Sequence, residues 1–311
     1  MERMSFFDEK PEAMRNGFKI FSGMIDRKIP EGTEPKFFIK VNGENYLVKD
    51  SSFNRRRRQK SLAPYCEYVG SNFIRLAGLL ECQKCYLGEY IDEEVGNRPV
   101  VICKDLFGEK TFRSFKDQHQ SSAGTDLSNK SYTYQEVLYV LEKKSLRNNA
   151  RMKDYKSKFW YMYLFDAILG NRDRHAGNWG FVYSGGTIRI APIFDNGASL
   201  FPDVDLTNWK NYDFIKERVF IRPGSQLKMW KPEYTDRPMR TNYWETIQLF
   251  HEEFTDELNR VKQLDCESLI KRSIIDVPLA YKEWFHAIIW FRFQCLILGR
   301  DFDEVWEEVD L

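Results

Sequence analysis

The sequence lacks an excess of charge of either sign. Its 311 residues include 47 Lys and Arg residues against 46 Asp and Glu residues, which gives a formal net charge of +1 at pH 7. A chain without a strong net field has little electrostatic attraction for nucleic acids or for anionic membranes. We therefore expect no membrane association and no direct binding of nucleic acid.

Long apolar runs are also missing. No segment contains the roughly 18 uninterrupted apolar residues that a transmembrane helix requires. The first residues, MERMSFFDEKPEAM, include acidic side chains and no long apolar stretch, so we expect no signal peptide. This pattern predicts a cytoplasmic protein and leaves delivery outside the cell open.

Cysteines are few and do not suggest a disulfide framework. The six cysteines lie at positions 66, 82, 85, 103, 266 and 295, a scatter that fits a reducing compartment. Cys82 and Cys85 form a CxxC pair, but a structural zinc site usually needs a second pair at a similar spacing, and none follows. We interpret these two thiols as structural residues that lead into a strand.

The first third of the chain has the pattern of strands around one helix. Asn42-Gly43 separates two apolar-rich runs, which predicts a two-residue hairpin turn. In the register that this turn sets, Val41 faces Glu44 and Lys36 faces Lys49.

One helix and a second strand pair complete this part. Apolar residues recur at steps of three and four over 62–76, which predicts an amphipathic helix that stops at Gly78. The apolar runs over 85–91 and 98–106 flank a polar turn and predict two further strands.

Helical patterns dominate the rest of the chain. The segment from about 113 to 152 is polar, and we interpret its start as a linker that precedes a helix over 133–144. The run DYKSKFWYMYLFDAILG is apolar over most of its surface, which predicts a buried central helix over 153–169. The sequence therefore predicts an α+β chain with a small, mainly β lobe over residues 1–112, a larger helical lobe over residues 113–311, and a cleft between them.

Two polar loops follow the central helix. They read NRDRHAGNWG from residue 171 and APIFDNG from residue 191. Between them, Gly185-Gly186 separates two apolar runs and predicts a second hairpin. This hairpin brings Asn178 close to Asp195, although the two are seventeen residues apart. Oxygen ligands of this kind suit Mg²⁺, which binds through one or two carboxylates together with substrate phosphates.

Asp173 precedes Asn178 by five residues. This D-x-x-x-x-N spacing is typical of kinase catalytic loops, in which the Asp orients the attacking hydroxyl and accepts its proton while the Asn holds a metal. A later Asp after a short hairpin, here Asp195, holds the metal that bridges the phosphates of ATP. The pattern predicts Asp173 as the catalytic base and Asn178 and Asp195 as Mg²⁺ ligands.

The cationic contact to the ATP phosphates should come from the small lobe. Lys49 ends the second hairpin strand and lies beside Lys36, which ends the loop PEGTEPK. We predict that Gly32, Thr33 and Lys36 bind the nucleotide together with Lys49. Glu67, on the helix that follows, is the predicted partner of Lys49. This order of groups predicts a bilobal protein-kinase-like fold.

These motifs resemble those of a known family. GNRDRHAGNWGF followed by IAPIFDNG is similar to the paired loops of the bacterial HipA-type serine/threonine kinases, and GTEPKFFI resembles their phosphate loop. The resemblance runs from Gly32 to about Leu200 and continues weakly through the helical end. In length the chain is nearer to the compact cell-translocating kinase type than to full-length HipA toxins, which carry an extra N-terminal subdomain.

The resemblance implies an ATP- and Mg²⁺-dependent enzyme that phosphorylates serine or threonine side chains of proteins. It implies that Asp173 is the catalytic base and that Asn178 and Asp195 are the Mg²⁺ ligands. It also implies that Lys49 contacts the ATP phosphates and that Glu67 is its partner. HipA toxins are often encoded with a helix-turn-helix antitoxin, which makes an antitoxin an expected partner. The stretch KIPEG lacks the regulatory Ser that those toxins carry before the phosphate-loop glycine.

Two other functions fit parts of this pattern. The motif D-R-H-x-x-N, from Asp173 to Asn178, also resembles the catalytic loop of phosphoinositide-type lipid kinases, although NWGF and APIFD fit the HipA pattern better. A nucleotide-binding pseudokinase or interaction module is the second alternative. The intact set of Lys49, Asp173, Asn178 and Asp195 argues against it.

Several charged residues near these motifs have open roles. Arg172 and Arg174 could contact phosphate or pair with a local carboxylate. His175 is expected to brace the loop by hydrogen bonding and to have no catalytic role. The basic run over 55–58 fits a solvated loop, and the alternative is a docking patch for an acidic partner.

Overall fold

The computed structural model of the chain describes residues 18–29, 36–50, 53–54, 59–91, 93, 96–108, 110–124, 132–221, 227–229 and 241–309. The described part up to Lys104 forms a small lobe that contains most of the strands. Its elements are β1 (Phe18–Ile20), β2 (Ile25–Ile29), β3 (Lys36–Val41), β4 (Glu44–Asp50), β5 (Phe53–Asn54), β6 (Gln59–Lys60), α1 (Ala63–Ala77), β7 (Cys85–Tyr90) and β8 (Arg98–Lys104).

A six-stranded sheet forms the body of the small lobe, with the strand order β1-β7-β8-β4-β3-β2. The predicted hairpin of β3 and β4 is part of this sheet, and β4 is one of its two central strands. Asn42 and Gly43 form the turn with φ angles of 51° and 82°, as a two-residue turn of this type requires. The predicted register is confirmed, because Lys36 pairs with Lys49.

Helix α1 packs against one face of this sheet, and the alternation of strand side chains decides which residues meet it. The helix, expected over 62–76, ends at Gly78 as predicted. Val48 lies in an apolar cluster on the other face of the sheet. Lys49, its neighbour along β4, therefore projects toward the face that α1 covers, where Glu67 lies.

The rest of the described chain forms a larger, mainly helical lobe, which confirms the α+β prediction. No described helix is both long enough and apolar enough to cross a membrane. The elements of this lobe are β9 (Thr111–Ser114), α2 (Phe115–Ala123), β10 (Tyr132–Thr133), α3 (Tyr134–Arg147), α4 (Met152–Leu169), β11 (Gly180–Ser184), β12 (Thr187–Ile190), α5 (Tyr212–Val219), β13 (Leu227–Lys228), α6 (Tyr243–Phe250), α7 (Thr255–Lys262), α8 (Cys266–Ser273), α9 (Leu279–Arg292) and α10 (Phe302–Glu308).

The segment interpreted as a linker is regular structure, so that prediction was wrong. Ser114 begins α2 with a capping box: its hydroxyl accepts a hydrogen bond from the N–H of Asp117, whose carboxylate accepts one from the N–H of Ser114. Phe115 is buried, and its ring stacks on Trp179 at a centroid distance of 4.5 Å. The polar composition belongs to a short helix that is anchored at its first turn. The boundary between the two lobes that the sequence predicts after residue 112 stays a prediction, and it falls within β9.

Helix α4 and the hairpin after it position the two polar loops. The helix ends at Gly170, whose φ of 63° is a conformation that residues with a Cβ rarely adopt. The predicted hairpin of β11 and β12 is confirmed, with Ser184 paired to Thr187. At Gly180 an added Cβ would lie 2.3 Å from the carbonyl oxygen of Arg113, so β9 can pair with β11 only if this residue is glycine.

Candidate active site

Lys49, Glu67 and Asp195 meet in the cleft between the two lobes. The Lys49 Nζ atom lies 2.8 Å from Glu67 Oε2 and 2.8 Å from Asp195 Oδ1. The side chains of Lys49 and Glu67 are 8% and 1% exposed, whereas that of Asp195 is 34% exposed. The ammonium group is therefore held between a buried carboxylate of α1 and a carboxylate that is open to the cleft.

The charges in this group shift the pKa values of Lys49 and Asp195. Burial alone would lower the pKa of Lys49, but the carboxylates of Glu67 and Asp195 raise it well above its ordinary value. The charge of Lys49 lowers the pKa of Asp195 to about 2, and burial opposes this effect only in part. At neutral pH Lys49 is protonated and Asp195 is ionised, so the pair can bind an anionic group and a cation side by side.

Helix α1 also contacts the residue after Asp195. Glu67 Oε1 accepts a hydrogen bond from the N–H of Asn196 at 2.8 Å. A Cβ at Gly70 would lie 3.2 Å from Asn196 Cβ, so the glycine lets the helix approach this closely. Asp195 itself has a φ of 59°, a left-handed conformation that costs a residue other than glycine about 1–3 kcal/mol. The contacts with α1 offset this cost and fix the direction of the Asp195 carboxylate.

Arg174 of the first polar loop forms a buried ion pair with α4 and hydrogen bonds to the second polar loop. Arg174 donates from Nε to Asp166 Oδ2 at 3.0 Å and from Nη2 to Asp166 Oδ1 at 3.0 Å, and both side chains are 4% exposed. Arg174 also donates to the carbonyl oxygens of Asn178 at 3.0 Å and Phe194 at 2.5 Å. A further hydrogen bond joins it to Asn196 Oδ1 at 2.7 Å. Of the two roles left open for Arg174, pairing with a local carboxylate is the one observed.

Asp166 and Asn196 are part of this network, although the sequence did not single them out. Asp166 is the only acidic residue in the apolar second half of α4, and a buried carboxylate needs a partner, so its position was a usable signal. Burial raises the pKa of Asp166, and Arg174 partly offsets that effect. Asn196 precedes Gly197 and has the pattern of a turn residue, but its side chain is buried and donates to Ser71 Oγ at 2.9 Å.

Asp173 and Asn178 lie side by side on the loop between α4 and β11. Asn178 Nδ2 donates to the backbone carbonyl of Asp173 at 2.9 Å and lies 3.4 Å from Asp173 Oδ2. The N–H of Asp173 donates to Asn171 Oδ1 at 2.9 Å. Within the described residues Asn178 Oδ1 accepts no hydrogen bond, so this oxygen is available as a ligand atom.

Asp173 has a raised pKa. Desolvation is the main cause, and the nearby charge of Asp195 adds to it, whereas His175, Arg174 and the contact with Asn178 act in the opposite direction. His175 Nδ1 accepts a hydrogen bond from the N–H two residues further on at 3.0 Å, so this side chain braces the loop as predicted. A carboxylate with a raised pKa is a stronger proton acceptor than an ordinary aspartate.

Lys49, Glu67, Asp173, Asn178 and Asp195 line one cleft of about 450 Å³. Lys36 reaches it from β3, and its positive charge contributes to the low pKa of Asp195. The predicted residues Gly32 and Thr33 lie outside the described residues, as does the basic run 55–58. The structure brings together in this cleft the other predicted site residues, Lys36, Lys49, Glu67, Asp173, Asn178 and Asp195.

The CxxC thiols have a structural position. Cys85 begins β7, as predicted, and its Sγ atom lies 3.5 Å from Cys103 Sγ on the neighbouring strand. Burial raises the pKa of Cys82 to about 12. A thiol in this state is protonated at neutral pH and is a poor metal ligand or nucleophile.

A Lys–Glu pair from a small sheet-based lobe faces an Asp, an Asn and a second Asp from a helical lobe, and this arrangement defines the class of protein as a kinase. The comparison with known families agrees. The sequence profile of the HipA-like C-terminal domain matches residues 30–213. The chain belongs to this family.

Known relatives and solved structures support the same assignment. The chain is 29% identical over 269 residues to the serine/threonine-protein kinase CtkA of Helicobacter pylori, a match that covers 82% of this chain and 78% of that protein. The crystal structure of the Helicobacter pylori proinflammatory kinase CtkA superposes with a TM-score of 0.72 and 26% identity, over 92% of this chain and 96% of that one. The predictions of a HipA-like family and of a kinase are confirmed.

A more distant likeness concerns the fold alone. HipA of Shewanella oneidensis, solved in a complex with HipB and operator DNA, matches with a TM-score of 0.54 and 12% identity, over 92% of this chain and 68% of that one. Together with the Helicobacter pylori structure, it confirms the predicted bilobal, protein-kinase-like fold.

Proposed function

We propose that this chain is an ATP- and Mg²⁺-dependent protein kinase that transfers the γ-phosphoryl group to serine or threonine side chains. The observation that carries this proposal is the contact of Lys49 with both Glu67 and Asp195 in the cleft that Asp173 and Asn178 also line. Phosphoryl transfer depends on positioning and charge neutralisation, and these five side chains supply both.

Lys49 is the proposed contact to the phosphates of ATP. Its ammonium group carries a fixed positive charge, and the buried carboxylate of Glu67 holds it at the inner end of the cleft. Lys36 adds a second positive charge from the neighbouring strand. Gly32 and Thr33 stay predicted contacts of the phosphates, because they precede Lys36 in the same loop.

Asn178 and Asp195 are the proposed ligands of Mg²⁺, and their chemistry fits that ion. Each offers an oxygen atom, which is the donor that Mg²⁺ prefers. The low pKa of Asp195 keeps its carboxylate ionised throughout the neutral range, so a proton does not compete with the metal. When bound, Mg²⁺ neutralises charge on the phosphate oxygens.

Asp173 is the proposed catalytic base. Its carboxylate is exposed to the cleft, where a substrate hydroxyl can reach it, and its raised pKa favours acceptance of the hydroxyl proton. The hydroxyl oxygen forms its bond to the γ-phosphorus as the bond to the leaving oxygen of ADP breaks. Asn178 keeps Asp173 in place through the 2.9 Å hydrogen bond to its backbone.

A protein hydroxyl is the favoured acceptor over a lipid. The relative from Helicobacter pylori is named a serine/threonine-protein kinase, whereas the resemblance to phosphoinositide-type kinases rests on D-R-H-x-x-N alone. A helix-turn-helix antitoxin as partner and a cytoplasmic location stay predictions, since they rest only on the family resemblance and on composition.

The test is phosphoryl transfer from γ-labelled ATP by the purified chain. Transfer to protein, with loss of signal in EDTA and in Asp173→Asn, is the expected result, while phosphoinositide vesicles should remain unlabelled. Asp154→Asn is a matched control, because Asp154 is an exposed aspartate at the start of α4 that pairs with Arg151. Labelled lipid with unlabelled protein would assign the chain to the lipid kinases, and binding of ATP with no turnover would exclude both enzymes.

A further inference from the structure

A second concave site, here called the rear pocket, lies where the end of α1, the segment before β7, the connection from β8 to β9 and the hairpin of β11 and β12 meet. Its volume is about 440 Å³, and none of its described lining residues lines the active-site cleft. The rear pocket is therefore a separate site that is walled by both lobes.

Positive charge dominates the lining of the rear pocket. Five cationic side chains against two carboxylates give the lining a formal charge of +3, although the whole chain is nearly neutral. These side chains are Arg75, Lys84, Lys104, Lys110 and Arg189, with Glu81 and Asp105. The pocket thus concentrates a field that the overall composition does not predict.

Two of these cationic side chains form exposed ion pairs. Arg189 Nη1 lies 3.9 Å from Glu81 Oε1, and their side chains are 46% and 65% exposed. Lys104 Nζ lies 2.7 Å from Glu44 Oε1, with exposures of 39% and 51%. Exposed pairs such as these contribute little to stability, so an incoming carboxylate can replace them at little cost.

The lining of the rear pocket also contains apolar side chains. They are those of Leu80, Leu106, Val182, Ile190 and Pro192. A lining that combines cationic and apolar side chains matches a peptide segment that carries both acidic and apolar side chains. A nucleic-acid duplex is too broad to enter a concave site of this volume, and its phosphates would leave the apolar side chains uncovered.

The segment before β7 that lines the rear pocket is hydrogen-bonded to Ile193, which lies between β12 and Asp195. The N–H of Ile193 donates to the carbonyl of Glu81 at 2.8 Å, and the N–H of Gln83 donates to the carbonyl of Ile193 at 2.8 Å. Asp195 follows Ile193 by two residues. A ligand that contacts Glu81 and Arg189 can therefore shift the backbone that orients the Asp195 carboxylate.

We propose that the rear pocket binds an acidic segment of a protein partner, with carboxylates on Arg189 and its cationic neighbours and an apolar side chain between Leu80 and Val182. Such a partner would change the activity of the proposed kinase through the hydrogen bonds of Ile193, without entering the nucleotide cleft.

The test is direct binding of a fluorescent peptide of alternating glutamate and leucine, measured by anisotropy with the nucleotide-free chain. The expected result is saturable binding, which Arg189→Glu weakens about tenfold and Glu81→Gln strengthens about two- to fivefold. Arg272→Glu is the matched control, because Arg272 is an exposed arginine of α8 outside the rear pocket. Lys110→Glu, at another exposed position of the lining, replaces Arg189→Glu if that variant melts below the wild type.

Several outcomes would overturn the proposal. They are a lack of saturable binding at millimolar peptide, equal affinity for a glutamine-for-glutamate peptide, and an equal loss in Arg272→Glu. Displacement of the peptide by tripolyphosphate at lower concentration than by free unlabelled peptide would assign the pocket to a phosphate ligand instead. Because binding is read without turnover, a failure of the proposed kinase activity leaves this test intact.

Discussion

The Nζ atom of Lys49 lies 2.8 Å from Oδ1 of Asp195, although the two residues are 146 positions apart in the chain. This contact joins the small lobe to the large one at the centre of the cleft. Its second partner, Glu67, is almost completely buried, so the three charges depend on one another. The following substitutions separate their contributions.

Glu67→Gln should reduce ATP turnover and lower the melting temperature, because the buried ammonium of Lys49 loses one of its two carboxylate partners. The amide keeps the volume of Glu67 and can still accept the hydrogen bond from the N–H of Asn196, but it no longer holds the ammonium of Lys49 by charge. Misplacement of such a group costs on the order of a hundredfold in kcat/KM. Steady-state kinetics and a thermal melt measure both effects, with Glu142→Gln, an exposed glutamate of α3, as the control. Unchanged kinetics would remove Glu67 from the site.

Asp195→Asn should abolish Mg²⁺-dependent turnover, and asparagine tolerates the left-handed φ of this position. It should also lower the melting temperature at pH 7. The pKa of Asp195 is depressed to about 2 in the folded chain, so its ion pair stabilises the fold above the ordinary pKa and is lost as the pH falls toward 2. The difference in melting temperature between the wild type and the variant should therefore shrink below pH 4. A difference in melting temperature that is constant from pH 7 to pH 3, or turnover with normal Mg²⁺ dependence, would contradict the proposed role of Asp195.

Asp173→Asn should have the opposite effect on stability. The folded chain raises the pKa of Asp173, so the ionised carboxylate opposes folding at neutral pH, and this effect disappears as the pH falls below the ordinary value. The variant should melt at an equal or higher temperature at pH 7 in the absence of Mg²⁺. Its transfer rate should fall about 10²–10⁴-fold, because a general base is lost. Lower stability together with normal activity would show that Asp173 only supports the loop.

Arg174→Met should destabilise the fold by about 3–5 kcal/mol, because it leaves the carboxylate of Asp166 buried without its partner. The exposed pair of Arg151 and Asp154 offers a matched control, since Arg151→Met breaks the same kind of contact in water. Urea unfolding measures both variants. Equal losses of unfolding free energy in the two variants would mean that burial of the Arg174–Asp166 pair has no special importance for stability.

The local signals of the sequence predicted the parts of the fold and site that depend on short spacings. Asn42-Gly43 fixed the register that places Lys36 beside Lys49, and Gly185-Gly186 brought Asn178 near Asp195. Both inferences use the two-residue period of a strand and a turn with a narrow set of allowed angles.

Contacts between distant elements could not be obtained in this way. The network of Arg174, Asp166 and Asn196 requires the end of α4 to meet both loops, and no local spacing states that. The polar segment after residue 112 was misinterpreted for a related reason. Phe115, the buried apolar residue in its first helical turn, packs on Trp179, which lies 64 positions away in the sequence.

The bonds of Ile193 to Glu81 and Gln83 have a consequence for how the two lobes can move. Parts of a molecule close to an axis of rotation travel little while distant parts travel far. If the lobes swing apart about this bridge, Asp195 travels little, because it lies only two residues beyond Ile193. Side chains of the cleft that are farther from Ile193 travel more, so the cleft can widen while the position of Asp195 changes least.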